Sequence, residues 1–250
     1  MGNKILEFFK KPSTIKALCF ILYYILIMYI LSDFVFGPLL GKIIKSITDG
    51  PIKDLSLKTR CIISASYNAF IYILLFIPIL IGYHFEVAYD YYAARSNKNF
   101  SIIFLCSFIG FYIVNIVSNI LSNAIYDGDS TSTNQLTFEI ITKNNAISGS
   151  IMFISVVFIG PFVEEMIFRQ AIFDVCKNKY VSIAVSSISF AMIHILTSSG
   201  SLRYMIATTI PYLFSGLAFS IIYEKSHRNI YASLLVHMAS NLLAVIAVFL

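Results

Sequence analysis

Seven long apolar runs organise this chain, at 17–40, 61–83, 100–121, 146–176, 180–196, 204–223 and 230–250. A helix rising 1.5 Å per residue needs about 20 apolar residues to cross a ~30 Å hydrocarbon core. Backbone N–H and C=O groups find no water there, so a helix must satisfy them within the segment. The expected fold is therefore all-α, a polytopic transmembrane helical bundle of about seven spans with polar groups held inside it. The fourth run is overlong and the fifth is short, so the range is six to eight. A break at Gly160-Pro161 would split the fourth run into two spans, and Pro161 is expected at least to kink it. Composition closes off a soluble alternative. The chain is 58% hydrophobic and 12% charged, whereas soluble domains carry about 25% charged residues.

The charged residues fall between the runs. Formal net charge is +5, spread over several linkers rather than gathered in one patch. That distribution suits anionic lipid headgroups and argues against a nucleic-acid partner. Lys4, Lys10, Lys11 and Lys16 precede the first run, which continues without a small-residue cleavage site, so it reads as an uncleaved signal anchor. A cytoplasmic N-terminus puts ten basic residues on the cytoplasmic side and seven on the other, and the positive-inside rule favours that orientation. The expected location is thus a multi-pass cell-membrane protein. The linkers 42–60, 84–99 and 123–145 are polar, and the last, rich in Ser, Thr, Asn and Asp, is expected to be an exposed loop. It divides the chain into an N-terminal part, 1–145, of helices and polar loops, and a core, 146–250, that carries the chemistry-bearing residues. Cys19, Cys61, Cys106 and Cys176 fall one to a run without CxxC spacing, and read as buried thiols.

Ionisable groups inside an apolar run cost roughly 2.5–3.5 kcal/mol each, and so mark functional positions. The fourth run holds Glu164, Glu165 and Arg169. Glu165 and Arg169 are four apart, share a helical face and can pair. Glu164 lies about 100° round the helix and lacks that partner, which leaves a carboxylate free for proton transfer. Two more pairs follow at the same spacing, Phe190 with His194 and His237 with Asn241. Measured along ideal helices from one membrane face, Glu164, His194 and Asn241 lie at about 20, 21 and 18 Å, and His237 at about 12 Å. Three helices bringing polar groups to similar depth point to one shared pocket. A carboxylate and a histidine can draw a proton from water, and a second histidine with an amide can donate to a developing oxyanion. A zinc ion held by Glu164, His194 and His237 is the alternative, although the HExxH spacing of many zinc proteases is absent.

The three ordered motifs, Glu164-Glu165-x-x-x-Arg169, Phe190-x-x-x-His194 and His237-x-x-x-Asn241, resemble those of the CAAX protease and bacteriocin-processing family, the CPBP or Abi proteins. The resemblance covers about 146–250. It implies an intramembrane endopeptidase acting on a membrane-associated protein or peptide. It assigns water activation to Glu164 and His194, oxyanion stabilisation to His237 and Asn241, and support to Glu165, Arg169 and Phe190. Family members have been described as metalloproteases and as glutamate-dependent proteases, so the resemblance leaves the zinc question open. Gln170 follows the arginine where the family often has glycine. Two other readings compete. One is a non-catalytic bacteriocin self-immunity or membrane-scaffold protein of the same fold, which would not need Glu164, His194, His237 and Asn241 together. The other is a secondary transporter with Glu164 in a proton relay, against which stands the lack of an internal repeat.

Overall fold

The structure is a computed structural model that describes residues 13–48, 50–128, 131–196 and 200–249. Lys4, Lys10 and Lys11, and the last residue of the seventh run, Leu250, lie outside these residues. In chain order the helices are α1 (Thr14–Thr48), α2 (Leu57–Gly82), α3 (His84–Ser96), α4 (Phe100–Ile125), α5 (Thr133–Asn144), α6 (Ala146–Val175), α7 (Lys179–Ile195), α8 (Leu202–Lys225) and α9 (Ile230–Val248). Among the described residues six of these, α1, α2, α4, α6, α8 and α9, are long and apolar enough to cross a membrane. Helix α7, the fifth predicted run, is apolar but shorter than 18 residues. The fourth run does not split, because α6 passes through Gly160-Pro161 as one helix of 30 residues.

The surface is built for lipid. On α4, Ile102, Leu105, Ile109, Ile113, Ile116 and Ile120 are each more than half exposed, while Ser118 and Ser122 are buried. Three- and four-residue spacing puts those isoleucines and the leucine on one outward stripe. Small polar residues do the inner packing. Ser122 Oγ donates to Ala207 O at 2.9 Å, and Ser220 Oγ donates to Ser186 Oγ at 2.9 Å. Asn115 joins α4 to α8 by accepting from Ser215 Oγ at 3.3 Å, whereas Asn119 donates within its own helix, to Asn115 O at 2.9 Å. Cys19 and Cys106 are exposed on this outer surface, not buried as their apolar neighbours suggest, and Cys61 is the buried thiol.

Two linkers read from the sequence as polar connections are helices. In α3, Glu86, Asp90 and Ala94 recur every fourth residue and are buried. The stripe is polar because it meets polar partners: Glu86 pairs with the Lys16 ammonium of α1, and Asp90 meets the turn before α9. In α5, Ser132 caps the N-terminus by accepting from Gln135 N–H at 3.1 Å. Its buried face is Phe138, Ile141 and Thr142. It lies so close to α6 that a Cβ on Gly149 would stand 2.9 Å from Thr142 O, so the predicted exposed loop is instead a packed helix.

The α8–α9 turn is tight. His227 and Arg228 both adopt positive φ, at 58° and 57°, and Arg228 N–H closes back on Tyr223 O at 2.9 Å. Such residues persist only where their surroundings hold them. Asp90 supplies the hold: Oδ2 accepts from Ile230 N–H at 2.9 Å, and its backbone O accepts from Asn229 Nδ2 at 2.9 Å. Asp90→Ala removes a buried charged acceptor and should lower stability by about 1.5–3 kcal/mol. The measurement is the thermal midpoint of the purified protein in detergent, where an unchanged Tm would show that the turn holds itself.

Candidate active site

Wide turns bracket the two glutamates of α6. At Ser155–Ile159 and Met166–Ala171 the backbone winds with i→i+5 hydrogen bonds, seen as Gly160 N–H to Ser155 O and Ile172 N–H to Ile167 O. The first has a clear cause. Pro161 has no N–H and its ring presses on the carbonyl four residues back, so the preceding turn opens. Gly160 permits this, because a Cβ there would stand 3.0 Å from Ser155 O. In that register Val156 O is the acceptor residue 161 would have served, and Asn241 Nδ2 of α9 donates to it instead, at 2.8 Å. The Gly37-Pro38 pair ends a similar wide stretch, Leu26–Phe36, in α1.

Behind the glutamates lies a buried charge pair. Glu165 and Arg169 are both 0% exposed, with Glu165 Oε2 and Arg169 Nε 3.5 Å apart. Arg169 Nη2 also donates to Gly216 O at 3.5 Å, and the guanidinium lies 4.8 Å from the Phe190 ring and 5.3 Å from that of Phe219. Aromatic faces attract such a cation where water is excluded. Gly216 lets α8 approach, since a Cβ there would stand 3.0 Å from Ser187 O and 3.3 Å from Phe190 Cβ.

His237 connects the two carboxylates. Its Nδ1–H donates to Glu165 Oε1 at 3.0 Å, which turns Nε2 toward Glu164 Oε2 at 3.7 Å. Its ring stacks on Phe219, centroids 4.5 Å apart. From α7, His194 Nε2 faces the same Glu164 oxygen at 4.0 Å and makes no hydrogen bond among the described residues. Phe190 packs edge-on against His194, and Tyr212 of α8 stacks on its imidazole at 4.5 Å. Tyr212 shares a 2.8 Å hydrogen bond with Ser132, so the start of α5 is tied to the ring that carries His194. On the other carboxylate oxygen, Tyr72 Oη of α2 donates to Glu164 Oε1 at 3.0 Å.

These groups line one cavity of about 210 Å³, together with Asn241. A neighbouring cavity of about 290 Å³ shares Asn68, Tyr72, Asn134, Phe138 and Met152 with it. Glu164, His194, His237, Asn241 and Phe190 thus stand around one space, and Glu165 and Arg169 stand behind it. One of the two Asn241 Nδ2 hydrogens is committed to Val156 O, and the other remains for a ligand. Sequence reasoning missed Tyr72, Tyr212 and Phe219. Asn68 and Tyr72 repeat the four-residue spacing of the recognised pairs, a signal present in the second run.

The zinc alternative would draw on Glu164 Oε2 and the Nε2 atoms of His194 and His237. Zinc takes histidine nitrogens at about 2.0–2.1 Å in a tetrahedral shell. Both imidazole Nε2 atoms approach the same Glu164 oxygen, at 3.7 and 4.0 Å, while neighbouring donors of such a shell stand about 3.4 Å apart. Were zinc bound, Glu164, His194 and His237 would hold it and it would activate a water; no step below runs through a metal.

Removing one member of the Glu165–Arg169 pair strands a buried charge. Arg169→Ala should cost about 3–5 kcal/mol of stability and lower expression as well as any activity. Thermal melting checks this, and a normal Tm with selective loss of turnover would move Arg169 into the chemistry.

Residues 146–243 match the family model described as type II CAAX prenyl endopeptidase Rce1-like. An uncharacterized protein of Mycoplasma capricolum subsp. capricolum is 38% identical over 92 residues, which is 37% of this chain and 26% of that protein. The UPF0177 protein YxdF of Lactococcus lactis subsp. lactis is 34% identical over 84 residues, 34% of this chain and 42% of that one. The chain therefore spans less than half the length of either relative. No solved structure matches it. All three motifs fall inside the matched stretch, so residues 146–243 of this integral membrane protein are similar to the Rce1-like endopeptidase family across every one of them.

Proposed function

We propose that this chain is an intramembrane endopeptidase that hydrolyses a peptide bond in a membrane-associated protein or peptide. The substrate class is a CAAX-type protein tail or a secreted peptide, bacteriocin or pheromone precursor. The observation that carries the reading is Glu164 Oε2, which faces the Nε2 atoms of His194 and His237 across a cavity inside the helical bundle. The 4.0 Å gap to His194 is too long for a direct hydrogen bond and suits one bridging water.

The chemistry follows from these positions. Water held between Glu164 Oε2 and His194 Nε2 gives its proton to Glu164 as its oxygen attacks the carbonyl carbon. The carbonyl oxygen becomes negative and accepts from the second Nδ2 hydrogen of Asn241, with His237 Nε2 turned to the same space as the second candidate donor. Glu165 holds His237 in this orientation through Nδ1 and is itself held by Arg169. Collapse of the tetrahedral intermediate breaks the C–N bond. Glu164 then hands its proton to the leaving amine and returns to a carboxylate. The products are a carboxylic acid and an amine, between which the acid proton passes on release to give a carboxylate and an ammonium. The uncharged second cavity offers room for substrate residues to one side of the cleaved bond. In this reading the N-terminus is cytoplasmic, as the distribution of basic residues favours.

Glu164→Gln keeps the size of the side chain but cannot take the proton. It should leave a folded protein whose turnover falls at least ~100-fold. His194→Ala should do the same, and the double variant should be little worse, because the two act as a unit. The assay compares the membrane and secreted proteomes of cells producing each form, and follows fragments that vanish with Glu164→Gln. An unchanged proteome would favour the non-catalytic immunity or scaffold reading. Activity lost on chelation and restored by zinc alone would overturn the glutamate-base mechanism.

A further inference from the structure

Glu164 has two carboxylate oxygens, and the structure treats them differently. Oε2 faces both histidines, while Oε1 accepts from Tyr72 Oη at 3.0 Å. Tyr72 comes from α2, outside the stretch that the family model matches. Its ring lies against α6 at Gly160, where a Cβ would stand 3.5 Å from Tyr72 Cε1 and 3.6 Å from Cζ. The same Gly-Pro step that opens the helix before Glu164 therefore also seats the tyrosine beside it.

The terminal torsion of a glutamate is broad, with no strong preference for either oxygen. A carboxylate left free to turn would present its base at a range of angles to the water. A phenol donating to one oxygen fixes the plane of the group and leaves the other as the only oxygen open to the cavity. A phenol also stays protonated through ordinary pH, so it donates to the charged carboxylate throughout.

We infer that Tyr72 is a positioning residue for Glu164, whose hydroxyl occupies Oε1 and so makes Oε2 the oxygen that accepts the proton of the attacking water. This rests on the reading of Glu164 as the base. It extends the working site beyond residues 146–243 and assigns α2 a part in the reaction.

The test uses the full chain and four forms: wild type, Tyr72→Phe, Glu164→Gln and the double variant. In purified protein, infrared difference spectra of wild type against Glu164→Gln isolate the Glu164 carboxyl bands. Tyr72→Phe should shift those bands, because it removes a hydrogen bond to that group while keeping the ring. In cells, with the fragments lost on Glu164→Gln as the probe, Tyr72→Phe should lower fragment production about tenfold or more. In the Glu164→Gln background it should lower it no further, since the group to be positioned is gone. A tyrosine that serves only packing would leave the Glu164 bands in place in Tyr72→Phe, which keeps the ring, and that result overturns the proposal. So does full turnover in Tyr72→Phe alongside lost turnover in Glu164→Gln, with the base reading intact. Full turnover in Glu164→Gln instead removes the base reading, and the positioning role with it.

Discussion

A guanidinium and two carboxylates inside a lipid-facing bundle set the conditions for everything near them. Arg169 and Glu165 are 0% exposed and Glu164 is 5% exposed, so none of the three can lean on bulk water. Each must be answered by the protein. Arg169 is answered by Glu165, by Gly216 O and by the faces of Phe190 and Phe219. That requirement explains why α8 must come close, and hence why residue 216 has no side chain. It also explains why His237 points where it does, since Glu165 has an oxygen left over for Nδ1–H. The helix that bears the charges yields to them, with wide turns on both sides of Glu164-Glu165. Wide turns of this kind concentrate at functional positions.

The spans were legible because lipid removes alternatives: a run of 20 apolar residues has little else to become. The buried pairs were legible for the opposite reason, being polar residues four apart on an apolar background. Helices α3 and α5 were not. The inner face of α3 is Glu86 and Asp90, which a search for apolar periodicity passes over. The inner face of α5 is Phe138, Ile141 and Thr142, set among residues that read as loop. Their partners, Lys16 and the α8–α9 turn for one, Gly149 for the other, are distant in sequence. Tyr72, Tyr212 and Phe219 were hidden differently. An aromatic residue in an apolar run reads as packing until a charged group is found beside it.

The two halves of the chain meet at the site more closely than the motifs suggest. Helix α2 brings Tyr72 to Glu164, and Ser132, before α5, holds the Tyr212 that stacks on His194. Asn134, Gln135 and Phe138 of α5 line the same cavity. The motif residues alone would therefore leave one wall of that cavity open.

The pairing of one glutamate with arginine has a consequence for the proposed reaction. Arg169 offsets Glu165, which leaves Glu164 as the carboxylate whose charge can change. When water gives its proton to Glu164, that side chain becomes neutral as the carbonyl oxygen turns negative. The negative charge has moved across the cavity and has not been created there. Creating an isolated charge in a low-dielectric site costs far more than shifting one between fixed donors. His237 bridges both positions, with Nδ1 on Glu165 and Nε2 turned to Glu164, so one ring faces both without moving. Were Arg169 absent, two like charges would face the same histidine. The proton would then be held by repulsion between carboxylates, and its return to the leaving amine would be opposed. In the proposed reaction Arg169, buried behind the cavity, thus sets which of two adjacent glutamates is free to act.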